Sequence, residues 1–211
     1  MTISKKKILI IDLDISNVGS VFRAVKQFES NIIISKESKD LVNCSHIILP
    51  GVGSFEHGMK SINKNEYSET LTNVINKNGI PILGICLGMQ LFGSFGFENN
   101  IKTSGLNFIE GDVIKFKINN KFKIPHMGWN RVNFTRNSSL NSGKEFNKDY
   151  YFVHSYHLKC KNESDILALS NHDIDFVSAI QKDNIFGVQF HPEKSLNNGI
   201  ELLKNFLKIC A

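Results

Sequence analysis

Little in this sequence points toward a membrane, a nucleic acid or a secreted scaffold. The four cysteines among 211 residues, Cys44, Cys86, Cys160 and Cys210, are widely spaced and include no CxxC pair. That does not suit the disulfide framework of a small secreted domain, and it favours a reducing compartment, the cytoplasm. Long apolar runs are missing as well. Lys5-Lys6-Lys7 precedes Ile8 to Ile11, but Asp12 ends that run after four residues, too short for a signal-peptide core or a membrane span. In that compartment the Asn137-Ser138-Ser139 sequon has no glycosylation meaning. The net charge of +5 comes from residues scattered along the chain, with no basic patch, so it is read as solubility rather than nucleic-acid binding. No internal repeat and no long linker divides the sequence, and residues 1–211 are read as a single domain.

What the chain does have is core. Hydrophobic residues make up 41% of it, enough for a substantial α/β interior. Short, nearly unbroken apolar runs at Ile8–Ile11, Asn31–Ser35, His46–Leu49 and Pro81–Ile85 suit strands buried on both faces of a parallel sheet. Helical spacing lies between them. Ser20 is the expected cap of a helix carrying Val21, Ala24, Val25 and Phe28, and Tyr67–Asn76 places Leu71, Val74 and Ile75 on one side. The order is β-α-β-loop-β-α-β. Beyond Gln90–Phe97 the pattern alternates, in Gly111–Lys117, Trp129–Phe134 and Tyr150–His154, with an exposed turn expected around Asn141-Ser142-Gly143. A last helix is expected over Gly199–Ile209. The fold class is therefore three-layer α/β/α, with a mainly parallel central sheet and a smaller β-rich part in the second half.

One cysteine has a setting for chemistry. Gly84-Ile85-Cys86-Leu87-Gly88 follows an apolar strand and precedes a helix start. Small neighbours permit a sharp strand-to-helix turn, a nucleophile elbow, which holds the central residue strained and exposed above the sheet. N–H groups of the following helix point at the sulfur and favour the attacking thiolate. A base is available in Gly187-Val188-Gln189-Phe190-His191-Pro192-Glu193. On extended chain the i, i+2 spacing puts His191 and Glu193 on one face, so the carboxylate can hold one imidazole nitrogen while the other meets the sulfur. The three make a Cys86-His191-Glu193 triad.

These residues resemble the class I glutamine amidotransferases, and in particular the glutaminase subunits of imidazole glycerol phosphate synthases. Four segments carry the resemblance: Leu49-Pro50-Gly51-Val52-Gly53-Ser54-Phe55, Gly84 through Gln90, Pro125-His126-Met127-Gly128-Trp129-Asn130, and Gly187 through Ser195. It implies glutamine hydrolysis through a cysteinyl thioester, with no cofactor and no metal. The implied oxyanion donors are Leu87 and the loop at Val52 and Gly53, which a peptide flip would complete when the acceptor substrate is bound. The implied glutamine contacts are Gln90 and Glu98, with backbone at Ser155 and Tyr156. The resemblance further implies a separate (β/α)8-barrel cyclase that takes up the ammonia for histidine biosynthesis, since no barrel fits in 211 residues. Asn17, Trp129, Asn130, Tyr151 and Lys194 match positions at that heterodimer interface.

One segment departs from the family. Its first loop carries an aromatic residue or threonine, then glycine, then asparagine a few residues on, whereas this chain reads Asp12-Leu13-Asp14-Ile15-Ser16-Asn17. The departure leaves open a paralogous glutaminase that feeds a sugar-modifying amidotransferase in surface-polysaccharide synthesis. A cysteine hydrolase on a related fold, or a non-catalytic binding module, fits the complete set of motifs less well.

Overall fold

The computed structural model describes residues 6–14, 16–119, 122–141 and 147–210. Lys5, Ile15 and the expected Ser142-Gly143 turn lie outside these residues. Strands β1 (Ile8–Ile11), β2 (Ile32–Ser35), β3 (His46–Gly51) and β4 (Ile82–Cys86) form at the four apolar runs. Between them lie α1 (Val18–Lys26), α2 (Phe55–Lys64) and α3 (Tyr67–Asn78). The remainder is α4 (Leu87–Gln90), β5 (Phe95–Glu98), β6 (Ile101–Ser104), β7 (Gly111–Lys115), β8 (His126–Phe134), β9 (Asn147–His154), β10 (Tyr156–Cys160), β11 (Ile166–His172), β12 (Ile174–Lys182), β13 (Ile185–Val188) and α5 (Leu196–Phe206).

Two helices differ from the sequence expectation. The α1 cap is Asn17, whose carbonyl accepts from the N–H groups of Ser20 and Val21 at 3.1 and 3.4 Å. Ser20 instead sits in the first turn, where its hydroxyl accepts from Arg23 Nη2 at 3.0 Å. The α2 helix was not foreseen, although Phe55, Gly58, Met59 and Ile62 are all buried at i, i+3, i+4, i+7 spacing. Ser54 caps it, its hydroxyl accepting from the His57 N–H at 3.3 Å.

Nine strands form one sheet in the order β2-β1-β3-β4-β13-β12-β11-β8-β9. Pairing is parallel from β2 to β13 and antiparallel from β13 to β9. The β-rich second half therefore extends the central sheet, which is mixed rather than mainly parallel. Tight turns at Asp173 and Asp183, with φ of 67° and 50°, send the chain straight back, and such short connections allow only antiparallel neighbours. A smaller sheet, β10-β7-β5-β6, packs alongside. Strand alternation sorts the layers. Leu9, Ile11, Leu49 and Ile82 join α2 and α3 in one core, while Ile8, Ile10, Ile48, Leu83 and Ile85 join α1 and α5 in the other.

The elbow after β4 needs absent side chains. A Cβ on Gly88 would lie 1.8 Å from the Leu49 carbonyl oxygen, and one on Gly84 would lie 2.6 Å from a Phe92 ring carbon. Backbone cannot yield that far without moving the sheet. Gly88→Ala is therefore expected to cost about 3 kcal/mol or more, read as a drop in denaturation midpoint; an unchanged midpoint would refute this packing.

Candidate active site

Cys86 ends β4 at φ 55° and ψ −111°, a backbone region that costs a side-chain-bearing residue of order 1–3 kcal/mol. The flanking pairs Gly51↔Cys86 and Val188↔Ile85 place the ends of β3 and β13 on either side of it. Loops from three adjacent parallel strands thus meet at their C-terminal ends, where open α/β sheets bind ligands. The helix after Cys86 is a single turn, Leu87–Gln90, so the expected dipole is small and the local N–H groups carry what remains of that effect.

A cavity of about 210 Å³ opens here, lined by Val52, Gly53, Cys86, Leu87, Gln90, Val153, His154, Ser155, Tyr156 and His191. It is below the range of about 300–1,000 Å³ common for drug-sized ligands and suits a small metabolite. Gly53, at φ 94°, has nothing within 4 Å of a notional Cβ, whereas Gly51 is packed at 3.0 Å against Gly88 N and Leu87 Cβ. Freedom for a peptide flip therefore resides at Gly53, and Gly51 stays in the sheet.

His191 Nδ1 donates to Glu193 Oε1 at 2.8 Å, with the two side chains only 2% and 1% exposed. The link between them is a 3₁₀ turn, Pro192–Lys194, rather than extended chain; Pro192 fixes the first turn residue and Lys194 N–H closes on the His191 carbonyl at 3.0 Å. A second lock holds the histidine's backbone. His191 N–H donates to the Tyr151 carbonyl at 2.8 Å, Tyr151 N–H donates to Ser195 Oγ at 3.0 Å, and the Ser195 hydroxyl donates to the His191 carbonyl at 2.6 Å. Burial pushes the imidazole pKa down, but the Cys86 sulfur and the Glu193 carboxylate outweigh it and raise it to about 10. Both neighbours thus favour the protonated ring, whose Nε2 makes no hydrogen bond among the described residues.

The remaining sequence-derived residues divide. Gln90 Nε2 donates to the Tyr156 carbonyl at 2.9 Å and to Gln189 Oε1 at 3.0 Å, which leaves its Oε1 as an acceptor for a ligand. Glu98 is not among the lining residues; its Oε2 accepts from Phe55 N–H at 2.8 Å, at the start of α2, and its charge acts on the Tyr156 hydroxyl. Trp129 is 52% exposed and stands opposite Tyr151 on the β8/β9 ribbon, ring centroids 6.3 Å apart. Lys194 Nζ lies 5.8 Å from the Tyr151 ring. These three make one surface patch. Asn17 lies at the start of α1, a helix that packs against the Pro192–Lys194 turn. Asn130 is not with them. Neighbouring residues of a strand face opposite ways, and its amide is turned inward to the Asn171 carbonyl at 2.8 Å and to His126 Nε2 at 3.1 Å.

His126 and Gln189 were not singled out from the sequence, and His154 belongs to the Tyr151–Tyr156 segment expected beside the pocket. His126 Nδ1 meets His154 Nε2 at 3.0 Å, and His154 Nδ1 meets the Tyr156 carbonyl at 2.8 Å. Burial holds both pKa values down, to about 4 and about 3, so both rings are neutral. Gln189 is fully buried, and its Nε2 lies 3.6 Å from Cys86 Sγ. A polar residue two before His191 in an apolar run was the available signal, since i, i+2 spacing puts both on one side.

The His191 pKa provides a test. Raised above its unfolded value, it contributes stability that is full below about pH 6.5 and is lost as pH rises through about 10. Glu193→Gln removes one of the two raising charges, so NMR titration of the His191 ring should show its midpoint falling toward the ordinary range. An unmoved midpoint would contradict the pairing.

Comparison with known proteins gives the family and the fold. The family model for glutamine amidotransferase class-I matches residues 9–210. Imidazole glycerol phosphate synthase subunit HisH 1 of Campylobacter jejuni (strain RM1221) is 43% identical, over 96% of this chain and all of that protein. Subunit HisH 2 of Methanococcus maripaludis is 42% identical, over 95% of this chain and 98% of its own. Among solved structures, PurLQS from Thermotoga maritima superposes with a TM-score of 0.75 at 15% identity, covering 97% of this chain and 98% of that one, a likeness of fold. On the family match and these identities, the chain belongs to the class I glutamine amidotransferases.

Proposed function

We propose that this protein is the glutaminase subunit of an imidazole glycerol phosphate synthase, releasing ammonia from glutamine for a cyclase on another chain in the cytoplasm. The observation that carries the reading is the meeting, in one small cavity, of Cys86 at positive φ with the His191–Glu193 pair, in a chain 43% identical to a named subunit of that synthase. No described helix is long and apolar enough to cross a membrane. The chain is one such unit, and the family match spans residues 9–210 of it.

The reaction follows from the residues. The Cys86 thiolate attacks the side-chain carbonyl carbon of glutamine, forming the C–S bond and shifting the C=O electron pair onto oxygen. Backbone N–H groups at Leu87 and on the Val52–Gly53 peptide take up that charge. Collapse breaks the C–N bond as His191 Nε2–H passes its proton to the departing nitrogen, so ammonia leaves and a γ-glutamyl thioester remains. Water then attacks the thioester, His191 takes one of its protons, and breaking the C–S bond returns the thiolate and glutamate. Glu193 keeps Nε2 aimed at the reaction throughout. Gln90 Oε1 accepts from the substrate ammonium, and backbone at Ser155 and Tyr156 meets its carboxylate.

The altered first loop leaves this reading standing. Asp14, at the family's glycine position, has φ 63°, a conformation glycine adopts freely and aspartate more readily than most side chains. Its charge and that of Asp12 are met by Lys36. The backbone conformation at Asp14 is thus available without glycine, and what changes there is local charge. A paralogous subunit serving a sugar-modifying amidotransferase stays as the second reading on that difference alone.

Two measurements test the proposal. In the complex with the cyclase, Cys86→Ala should cut glutamine-dependent synthesis by at least about 1,000-fold while ammonia-dependent synthesis persists; loss of both, or of neither, would refute the assignment. Trp129→Ala should weaken cyclase binding by about 30-fold or more, as expected for an interface anchor of about 2 kcal/mol, with calorimetry as the readout. Unchanged affinity would place the partner elsewhere.

A further inference from the structure

We propose that Gln189 is a further catalytic residue, donating a side-chain N–H hydrogen bond to Cys86 Sγ that steadies the attacking sulfur. This rests on the reading of Cys86 as nucleophile. Gln189 is fully buried just beyond β13, and its Nε2 stands 3.6 Å from the sulfur, within reach of an N–H···S bond.

The orientation of a buried amide is the critical point, because a flipped Gln189 would present oxygen to the sulfur and repel it. The surrounding bonds forbid the flip. The Tyr156 carbonyl is backbone, can only accept, and faces Gln90 at 2.9 Å; that end of Gln90 must therefore be Nε2. The same nitrogen meets the next amide at 3.0 Å, so the atom of Gln189 that receives it must be Oε1. Nε2 of Gln189 is then the end left facing Cys86. The Tyr156 carbonyl also accepts from His154 Nδ1 at 2.8 Å, which anchors it from its other side. Polarity thus passes in one direction from a fixed carbonyl through two amides to the sulfur.

The other groups around the sulfur do not make this bond redundant. The Val153 carbonyl lies 3.9 Å away, with its negative end toward the sulfur, so it favours the protonated thiol. His191, with Glu193 behind it, supplies charge and is committed to moving the proton. His154 lines the same cavity, but both its ring nitrogens are engaged. Gln189 is the neutral donor that stays in place while the His191 proton comes and goes. A hydrogen bond to the sulfur lowers the cost of holding the thiolate before it attacks and as breaking the C–S bond of the thioester releases it again.

The test compares Gln189→Met, near in shape but with no donor, with wild type, both as complexes with the cyclase. The expected result is a fall of about ten- to a hundredfold in kcat for glutamine with KM little changed. The pH midpoint for Cys86 alkylation by iodoacetamide should also rise. A fall in kcat with an unmoved alkylation midpoint would mean that Gln189 only packs, and would overturn the proposal. Should Gln189→Met not fold, the wild-type chain still decides: the Gln189 side-chain amide proton should shift in NMR spectra on Cys86→Ala, and an unmoved resonance overturns the bond. Failure of the underlying reading is distinguishable, because a Cys86→Ala protein would then still hydrolyse glutamine.

Discussion

Gly88 lies so close to the Leu49 carbonyl that a Cβ would stand 1.8 Å from the oxygen. That contact sets the height of the turn after β4 against the end of β3, and the parallel register carries it to β13 on the other side. The Val52–Gly53 loop, the Cys86 sulfur and the His191 imidazole are consequently delivered by three neighbouring strand ends. The strain at Cys86, at φ 55°, is sustained because the residues on either side of it are locked, Ile85 in the sheet and Gly88 against backbone. A side chain at Gly84 or Gly88 would relieve the packing only by moving the nucleophile away from its base.

The charge pattern at the site follows from burial combined with partnership. His46, His126, His154 and His157 are all buried, and desolvation lowers the pKa of each. His191 is buried too, yet its pKa is raised, because it alone of these five meets both the Cys86 sulfur and a carboxylate. Neutral His46, His126 and His154 serve as fixed donors and acceptors, whereas the neighbours of His191 favour its charged form. The same side chain is therefore held neutral in the β8/β9 ribbon and drawn toward charge beyond the end of β13, and the difference lies in neighbours supplied from elsewhere in the chain.

Much of this was legible in the sequence where the determinants are local. The four apolar runs became β1 to β4, and Gly84-x-Cys86-x-Gly88 became the turn at positive φ, because small residues and strand periodicity act over a few positions. The His191–Glu193 contact was also foreseen, although the path between them is a 3₁₀ turn that Pro192 imposes. What escaped depends on register. Nothing local says that β12 follows β13 into the main sheet, or that Gln189 meets Gln90 across 99 positions. The direction of an amide is set by its partner, so Gln189 could not be distinguished from any buried polar residue before the Tyr156 carbonyl was placed. Asn130 is a different case, since alternation along β8 already sets it on the face opposite Trp129.

The β8/β9 ribbon joins two surfaces that would otherwise be independent. Trp129 and Tyr151 are register partners and carry their rings on the exposed patch, while His126 and His154 are register partners a few residues along and point into the cavity wall. Tyr151 is the hinge of this arrangement. Its ring belongs to the patch with Trp129 and Lys194, but its carbonyl and N–H hold the backbone of His191 and the hydroxyl of Ser195. The exposed Trp129–Tyr151 patch and the His154 wall of the Cys86 cavity are thus two faces of one hydrogen-bonded ribbon.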